Sequence, residues 1–398
     1  MSFENFFGEA EFNYELEKKK FIDNMDFLKD MSVEESTLWK KWEEFNKDPQ
    51  FFMDRADTID RLEKTIWQPT DIFNKEQTIQ EINSISPIVE PVEQGNAKAN
   101  EDWILTRRLI HSMEFTPNPG RNLKFYVKDK STNKVLGLIC LGSDVTSLGV
   151  RDDMIGWTKE NKFKEGKLNH TAIGTTICCV QPLGFNMLGG KLVAQMVTSK
   201  VVRDTWKKVY GQTLVGISTT ALYGIHSMYN GIPQWKTLGE TKGKISLKPD
   251  DKFYDVWHHW LKENKFEEYD KKVGQPKGAL PVTGIKQKII QMIYQELGIK
   301  RAKYEHGFKR GAYFANVYQN GKEFLRSEIN EDELIIRNMF DRDIEYIDSW
   351  WKRKAVNRYT KLLEQNKIRP EKLFYSGMIN ISWEEAKEKY LGDIGRWH

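Results

Sequence analysis

Two short apolar segments on either side of a helical stretch constrain the fold of this chain more than any other feature. The first, Thr176–Val180, leads into a glycine-rich turn, and the second is Thr213–Ser218. Between them, residues 191–210 have helical character up to Gly211, a residue that readily adopts the left-handed conformation found just after a helix. A buried strand, a crossover helix and a second buried strand predict a sheet lying between layers of helices.

Further strands and helices are predicted on both sides of this unit. Leu123–Lys128 and Val135–Leu141 have strand composition, and the polar residues between them predict a β-hairpin. A helix is expected over residues 151–160, a short helix near 225–230 and a polar hairpin over 235–247. The predicted fold class is therefore α+β, with a central sheet flanked by helices.

The chain is expected to have four regions. Residues 1–82 are predicted to form an acidic helical arm, because Phe21, Met25 and Leu28 recur at helical spacing. Residues 83–102 are rich in proline and polar residues and are expected to be a linker. The core then covers residues 103–250. Residues 251–398 are predicted to be mostly helical and basic, with a hairpin near 311–326 whose turn contains Asn320 and Gly321.

The charge of the chain is distributed unevenly. Residues 1–100 carry 12 Lys and Arg against 22 Asp and Glu, whereas the remaining residues carry 49 against 35. A basic body favours a polyanionic partner, and nucleic acid, DNA in particular, is the expected one. The acidic arm is expected to contact that basic surface or a protein partner. A solvated surface of scattered charge is the alternative.

Several classes of protein are disfavoured by the sequence. A membrane-spanning helix needs about eighteen consecutive apolar residues, and no such run occurs, so no membrane contact is expected. The acidic start lacks the basic and apolar segments of a secretory signal, which predicts a cytoplasmic protein, in the host cytoplasm if phage-encoded. Cys140, Cys178 and Cys179 are expected to be reduced thiols. The adjacent His258 and His259 point apart on a helix, so no metal site is predicted.

Blocks of the core follow an order that resembles a known family. These blocks are Leu136–Ser143 with Arg151–Trp157, Gly189–Leu192 with Trp206–Gly211, Leu214–Thr220, and Tyr229 with Trp235–Lys244. The stretch is similar to the DruA-like family of prokaryotic and phage proteins, which is named for the Druantia anti-phage systems. The resemblance implies a role in phage–host conflict. One departure is that the family carries an acidic residue before the threonine of the strand after the helix, whereas Ser218-Thr219-Thr220 has none.

The order of the predicted elements also resembles that of GNAT acyltransferases, which implies a GNAT-like central sheet. Tyr229 lies where such a fold places the general acid for a departing thiolate. The glycine-rich turn is expected to hold the pyrophosphate of acetyl-CoA or a related acyl-CoA, because exposed amides at a helix start favour an anion. A nucleic-acid phosphate, a plain tight turn and a core tyrosine are the alternatives. The predicted cofactor-binding residues are Gly184, Asn186, Gly189, Gly190 and Lys191.

Charged and aromatic residues supply further candidates. Asp152 and Asp153 are predicted catalytic carboxylates, one of them a general base, although neighbours on a helix diverge by about 100° and an ordinary charged helix start is the alternative. Nucleic-acid contacts are predicted where cations neutralise phosphates or an indole stacks on a base. These residues are Arg151, Trp235, Lys236, Thr241, Lys242, Lys244, Lys309, Arg310, Lys354 and Arg358.

Three functions are compatible with these patterns. The first is an enzyme that transfers a small acyl-type group to nucleic acid, with DNA bases as acceptors. The second is a non-catalytic DNA- or RNA-binding module that recruits a helicase or nuclease in anti-phage defence. The third is a structural or scaffolding protein that uses its acidic helical arm.

Overall fold

The chain divides into a larger unit, Thr37–Lys242 with Arg310–His398, and a smaller unit, Met1–Ser36 with Gly243–Lys309. The structure is a computed structural model, and it describes residues 12–117, 120–221, 228–241, 245–274, 282–306, 310–337 and 343–394. None of the helices in these ranges is long and apolar enough to cross a membrane.

Helices and strands are numbered here along the described chain. The helices are Tyr14–Lys29 (α1), Val33–Asn46 (α2), Pro49–Met53 (α3), Ala56–Glu63 (α4), Lys75–Ser84 (α5), Ala97–Ile110 (α6), Gly149–Ile155 (α7), Leu183–Met187 (α8), Gly189–Met196 (α9), Lys200–Tyr210 (α10), Asp251–Asn264 (α11), Phe266–Tyr269 (α12), Val282–Glu296 (α13), Gly321–Leu325 (α14), Asp343–Glu364 (α15) and Trp383–Ile394 (α16). The strands are Pro87–Pro91 (β1), Asn122–Asp129 (β2), Val135–Ser143 (β3), Thr171–Cys179 (β4), Gly216–Ala221 (β5), Trp235–Glu240 (β6), Ile245–Ser246 (β7), Glu305–His306 (β8) and Gly311–Asn316 (β9).

The larger unit is organised around a mixed sheet with the strand order β1-β2-β3-β4-β5-β9-β6. Neighbouring strands are antiparallel, except that β4 and β5 run parallel in the middle of the sheet. In β2 every second residue is buried, which is the pattern of a strand with one apolar face, whereas β3 is buried along almost its whole length. The α+β class with helices around a central sheet is therefore confirmed.

Three clusters of buried side chains hold the larger unit together. The main one packs Phe125 and Val127 of β2 with Leu192 of α9, Trp206 of α10 and Trp351 of α15. A second cluster joins α2, α3 and α4 to α6 and to the chain around Tyr375. A third packs Val215 together with Phe314 of β9 against α7 and α14. Full burial of a side chain such as Phe125 contributes about 1.5–3 kcal/mol, so these clusters stabilise the larger unit.

The smaller unit packs α1 against α11 and α13. The ring of Phe21 meets that of Tyr294 edge to face at 6.3 Å, and the amide of Asn24 donates to the buried carboxylate of Asp250 at 2.6 Å. The short strands β7 and β8 pair in a separate antiparallel ribbon. Residues 12–36 of the predicted arm are thus part of a packed unit that also includes chain from the C-terminal half.

Several local predictions are confirmed. The hairpin over residues 123–141 forms as β2 and β3, with Asn133 in the left-handed conformation at its turn. Both apolar segments lie in strands that are parallel neighbours, β4 and β5, although the two strands pair only at 171–173 and 216–218. Gly211 ends α10 with a φ of 75°. Residues 12–82 are largely helical, as expected.

Other segments differ from their predictions because tertiary packing decides them. Residues 83–102, expected to be a linker, contain β1 and the start of α6. The single helix expected over residues 191–210 is divided into α9 and α10. The segments 235–247 and 311–326 do not form hairpins, because β6 pairs with β9 and β9 lies between β5 and β6. The region 225–230 can be compared only from Met228 onwards, where the chain forms a turn.

Candidate functional site

The parallel strands β4 and β5 separate soon after they begin to pair. They are paired only at Thr171 with Gly216, Ala172 with Ile217 and Ile173 with Ser218. Beyond this point β4 has a bulge, since the register against β3 shifts between Cys140 and Leu141. A bulge bends a strand and ends regular pairing. We call the residues beyond the last pair, 174–179 of β4 and 219–221 of β5, the β4–β5 fork.

Tyr229 lies at this fork. Its ring packs between those of Trp235 and Tyr313, with centroid distances of 4.8 and 4.9 Å, and the residue is only 5% exposed. Its hydroxyl is hydrogen-bonded to Thr219 of β5, which in turn donates to the carbonyl of Gly174 in β4 at 3.0 Å. Burial raises the pKa of Tyr229, so the phenol keeps its proton and acts as a donor.

The glycine-rich turn follows β4 directly and contains the short helix α8. Gly189 begins α9, where a Cβ would lie 2.8 Å from the side chain of Leu183 and 3.1 Å from its carbonyl carbon, so only glycine allows this close approach. A Cβ on Gly190 would lie 3.1 Å from the sulfur of Met228. The ammonium group of Lys191 donates to the carbonyl oxygens of Met228 and Asn230. The start of α9 therefore lies beside the turn that carries Tyr229.

Asn186 does not belong to a phosphate cradle, contrary to the prediction. Its amide donates to the carbonyls of Pro182 at 3.0 Å and Arg369 at 2.7 Å, and its oxygen accepts from the amide of Arg369 at 3.0 Å. The side chain is fully buried and holds the C-terminal chain against α8. A Cβ on Gly184 would lie 2.5 Å from the sulfur of Cys179, so that glycine also serves packing.

The predicted cluster at residues 151–153 is a buried ion-pair network. Arg151 is fully buried and contacts Asp144 and Asp152 at 2.6 Å each, and Lys162 contacts the other oxygen of Asp152 at 2.5 Å. Arg151 consequently lies where nucleic acid cannot reach it, and Asp152 is engaged by two cations. The burial of Arg151 disagrees with its predicted contact with nucleic acid, and the two cations at Asp152 disagree with its predicted role as a catalytic carboxylate. Asp153 is exposed, whereas Asp152 is half-buried.

Sequence reasoning missed Asp144, which follows the end of β3. Its carboxylate accepts from Ser218 of β5 at 3.1 Å and from the amide of Val145 at 2.9 Å. Burial raises the pKa of Asp144, an effect that the charge of Arg151 opposes. A carboxylate therefore lies beside Ser218 although β5 itself carries none, and the position of Asp144 next to a buried strand was the available signal.

The predicted nucleic-acid residues differ in their surroundings. Trp235 is buried and donates to the carbonyl of Ala194 at 2.7 Å, so its ring is not available to stack on a base. Thr241 bonds to the backbone of Arg310, whose guanidinium has a pKa lowered by burial. Lys236 and Lys354 are exposed. Lys242, Lys244 and Lys309 lie outside the described residues.

The fold brings Arg358, a predicted nucleic-acid-binding residue, close to Lys191, a predicted cofactor-binding residue. Arg358 of α15 donates to the carbonyl of Phe185 at 2.7 Å and lies over the ring of that residue at 4.9 Å. Arg369 lies over the same ring at 3.8 Å. Burial, followed by the charge of Arg358, lowers the pKa of Lys191. We call Lys191, Arg358 and Arg369 the cation cluster.

The thiols are structural. Cys140, Cys178 and Cys179 are free, and burial raises the pKa of each, that of Cys178 to about 12. Such thiols remain protonated and unreactive near neutral pH. Across the described ranges, no group of His, Cys, Asp and Glu is arranged to hold a metal ion.

These features define an α+β protein with an open mixed sheet and a fork between its parallel central strands. The model of the family described as Druantia protein DruA matches residues 44–327, so the chain belongs to this family, which is part of an anti-phage defence system. The match confirms the resemblance and extends further than residues 103–250.

Comparison with known proteins gives one curated relative and no solved structure. The Druantia protein DruA of Escherichia coli (strain UMEA 4076-1) is 26% identical over 278 residues, which cover 63% of this chain and 64% of that relative. The chain thus matches less than two thirds of the relative's length. No solved structure matches the chain.

Proposed function

We propose that this protein transfers an acyl-type group from an acyl-CoA to nucleic acid, and that the β4–β5 fork is the site of transfer. The observation that carries the proposal is the position of the Tyr229 hydroxyl, which is bonded to Thr219 at the point where the parallel strands separate. Separated parallel strands leave backbone groups and space for a ligand between them, at the carboxyl ends where ligands of such sheets bind.

The surroundings of the fork suit a thioester with a nucleotide attached. The start of α9, with glycines at its first two positions, follows β4 and favours an anion. Lys191 adds a positive charge beside the turn that carries Tyr229. The residues that would hold the acyl-CoA are therefore those of the fork and the start of α9.

The proposed reaction needs one proton at the leaving group. A nitrogen of a nucleobase bonds to the acyl carbon and loses a proton to water, while the carbon–sulfur bond breaks and the sulfur takes up a proton. Tyr229 is a donor at the fork, and its raised pKa keeps the proton available as a hydrogen bond to the developing thiolate. An acceptor of this kind is consistent with the basic balance of residues 101–398.

Mass spectrometry of nucleosides from cells that express the protein tests the proposal directly. We expect an acylated nucleoside in DNA or RNA with the wild type and a loss of about 10²-fold or more with Tyr229→Phe, the usual range for a group that donates the proton. Tyr126→Phe is the matched control, because Tyr126 is a half-buried tyrosine of β2. Normal modification by Tyr229→Phe, or no modified nucleoside with the wild type, would contradict the proposal.

A non-catalytic nucleic-acid-binding module is the second candidate function. The observation that favours it is the tight packing of Tyr229 between two aromatic rings, which a core residue would also show. Thermal unfolding with acetyl-CoA separates the two candidates. A ligand at a hundredfold its Kd stabilises by about 2.7 kcal/mol, whereas a module without an acyl-CoA site gives no shift.

A further inference from the structure

Two arginines from separate parts of the chain lie over one aromatic ring, and the charge of one of them acts on Lys191. Lys191 belongs to the first turn of α9, Arg358 to α15, and Arg369 to the chain that follows α15. The guanidinium carbons of Arg358 and Arg369 lie 4.9 and 3.8 Å from the centroid of Phe185. Hydrogen bonds fix this arrangement, since Arg358 donates to the carbonyl of Phe185 and the amide of Arg369 donates to Asn186.

Lys191 and Arg358 hold their positive charges in partly buried surroundings next to another cation. All three side chains are half-buried, which weakens solvation of their charges. Burial and the neighbouring positive charge lower the pKa of both Lys191 and Arg358. Within the described ranges, neither Lys191 nor Arg358 forms an ion pair with a carboxylate. An anionic ligand would relieve this repulsion.

We infer that Lys191, Arg358 and Arg369 bind the phosphate groups of the nucleotide part of the acyl-CoA. The inference rests on the proposed function and adds two arginines that lie beyond the residues matched by the family, 44–327. Arginine suits this role because its planar fork contacts two phosphate oxygens at once. The C-terminal region thus completes a site that begins at the end of β4.

The arrangement favours a compact diphosphate over an extended strand. A strand of nucleic acid spreads its phosphates along a line, and it is best met by exposed cations such as Lys354 and Lys361 of α15. The cation cluster instead has two half-buried arginines over a single ring, and its lysine contacts the turn at Met228 and Asn230 that carries Tyr229. A nucleotide bound there has its thioester arm within the same part of the molecule as the fork.

Binding of defined probes to the full chain tests the inference. Coenzyme A, adenosine 3′,5′-bisphosphate and inorganic pyrophosphate are titrated by calorimetry into the wild type, Arg358→Gln and Arg369→Gln. We expect each variant to bind coenzyme A and the bisphosphate about tenfold or more weakly, as loss of a charge-assisted hydrogen-bond pair predicts. Arg353→Gln is the matched control, because Arg353 is an exposed arginine on the same helix and should leave affinity unchanged.

Two further measurements keep the inference testable if a variant unfolds. Arg358→Lys retains the charge without the planar fork and should bind with intermediate affinity. Pyrophosphate should raise the unfolding temperature of the wild type, which needs no variant. Absence of that stabilisation would overturn the inference.

The outcomes separate the phosphate site from the proposed reaction. If the wild type binds the bisphosphate through these arginines but not coenzyme A, the phosphate site stands and the acyl-CoA reaction fails. If wild type and variants bind coenzyme A equally well, the phosphate site is wrong and the reaction is unaffected. A single-stranded oligonucleotide is titrated in the same way; if the variants lose only its binding, the cluster contacts nucleic acid and the inference is overturned.

Discussion

Replacing Arg151 by methionine should strongly destabilise the larger unit. Arg151 is fully buried and joins Asp144 and Asp152, each at 2.6 Å. Methionine fills a similar volume but leaves a buried carboxylate without its counter-ion. Removing one partner of a buried ion pair costs about 3–5 kcal/mol. Asp152 keeps Lys162 at 2.5 Å, so most of this cost arises at Asp144.

The loss of stability in the Arg151→Met variant should depend on pH in a defined direction. Burial raises the pKa of Asp144 in the folded protein, and without Arg151 that pKa rises further above the unfolded value of about 3.9. A raised carboxyl pKa means that the folded state binds the proton more readily than the unfolded chain. The variant therefore loses stability as the pH rises from about 4 through the folded-state pKa, and its deficit relative to the wild type is largest at neutral pH.

Urea unfolding followed by tryptophan fluorescence at pH 7 and pH 4 measures both effects. Asp144→Asn in the Arg151→Met background should recover stability at pH 7, because a neutral amide needs no counter-ion. Lys164→Gln is the control, since the Lys164–Glu160 pair is exposed and should change stability by less than about 0.5 kcal/mol. A deficit below about 1 kcal/mol at pH 7, or an equal deficit at both pH values, would refute the reasoning.

Three further predictions concern other parts of the larger unit and the basic surface. Asp129→Ala should cost about 1–3 kcal/mol at pH 7, because its carboxylate accepts from Ser86, Ser131 and Thr132. Burial opposes ionisation of Asp129, but these bonds hold its pKa below the usual value. The difference in unfolding free energy between wild type and Asp129→Ala should therefore vanish in acid. An undiminished difference near pH 2 would contradict this. Asn186→Ala should cost about 2–3 kcal/mol in urea unfolding, since buried backbone groups lose partners, and an unchanged midpoint would argue against the assigned role. Nucleic-acid binding should weaken steeply between about 50 and 200 mM salt in a filter-binding assay, and a flat response would exclude a phosphate-driven surface.

The local sequence determined the elements whose pattern is complete within a short segment. The alternation in β2 and the polar residues before Val135 specified a hairpin, because a period of two and a turn residue at Asn133 act over neighbouring residues. Gly211 ended α10 through its own conformational freedom. The two apolar segments likewise indicated parallel strands in one sheet, since a helical crossover between two strands favours that arrangement. The predicted order of strands and helices also indicated that Tyr229 follows β5.

Only the tertiary structure decided the partners of residues far apart in the chain. Gly311–Asn316 reads locally as one arm of a hairpin, but burial of both its faces places it between β5 and β6. The burial of Arg151 and the use of Asp144 depend on which strands meet, and the approach of Arg358 to Lys191 depends on how α15 packs on α8 and α9. A sequence pattern shows that a residue is charged or apolar. Its neighbours in space depend on how the whole unit buries the most apolar surface, because every segment contributes to that free energy.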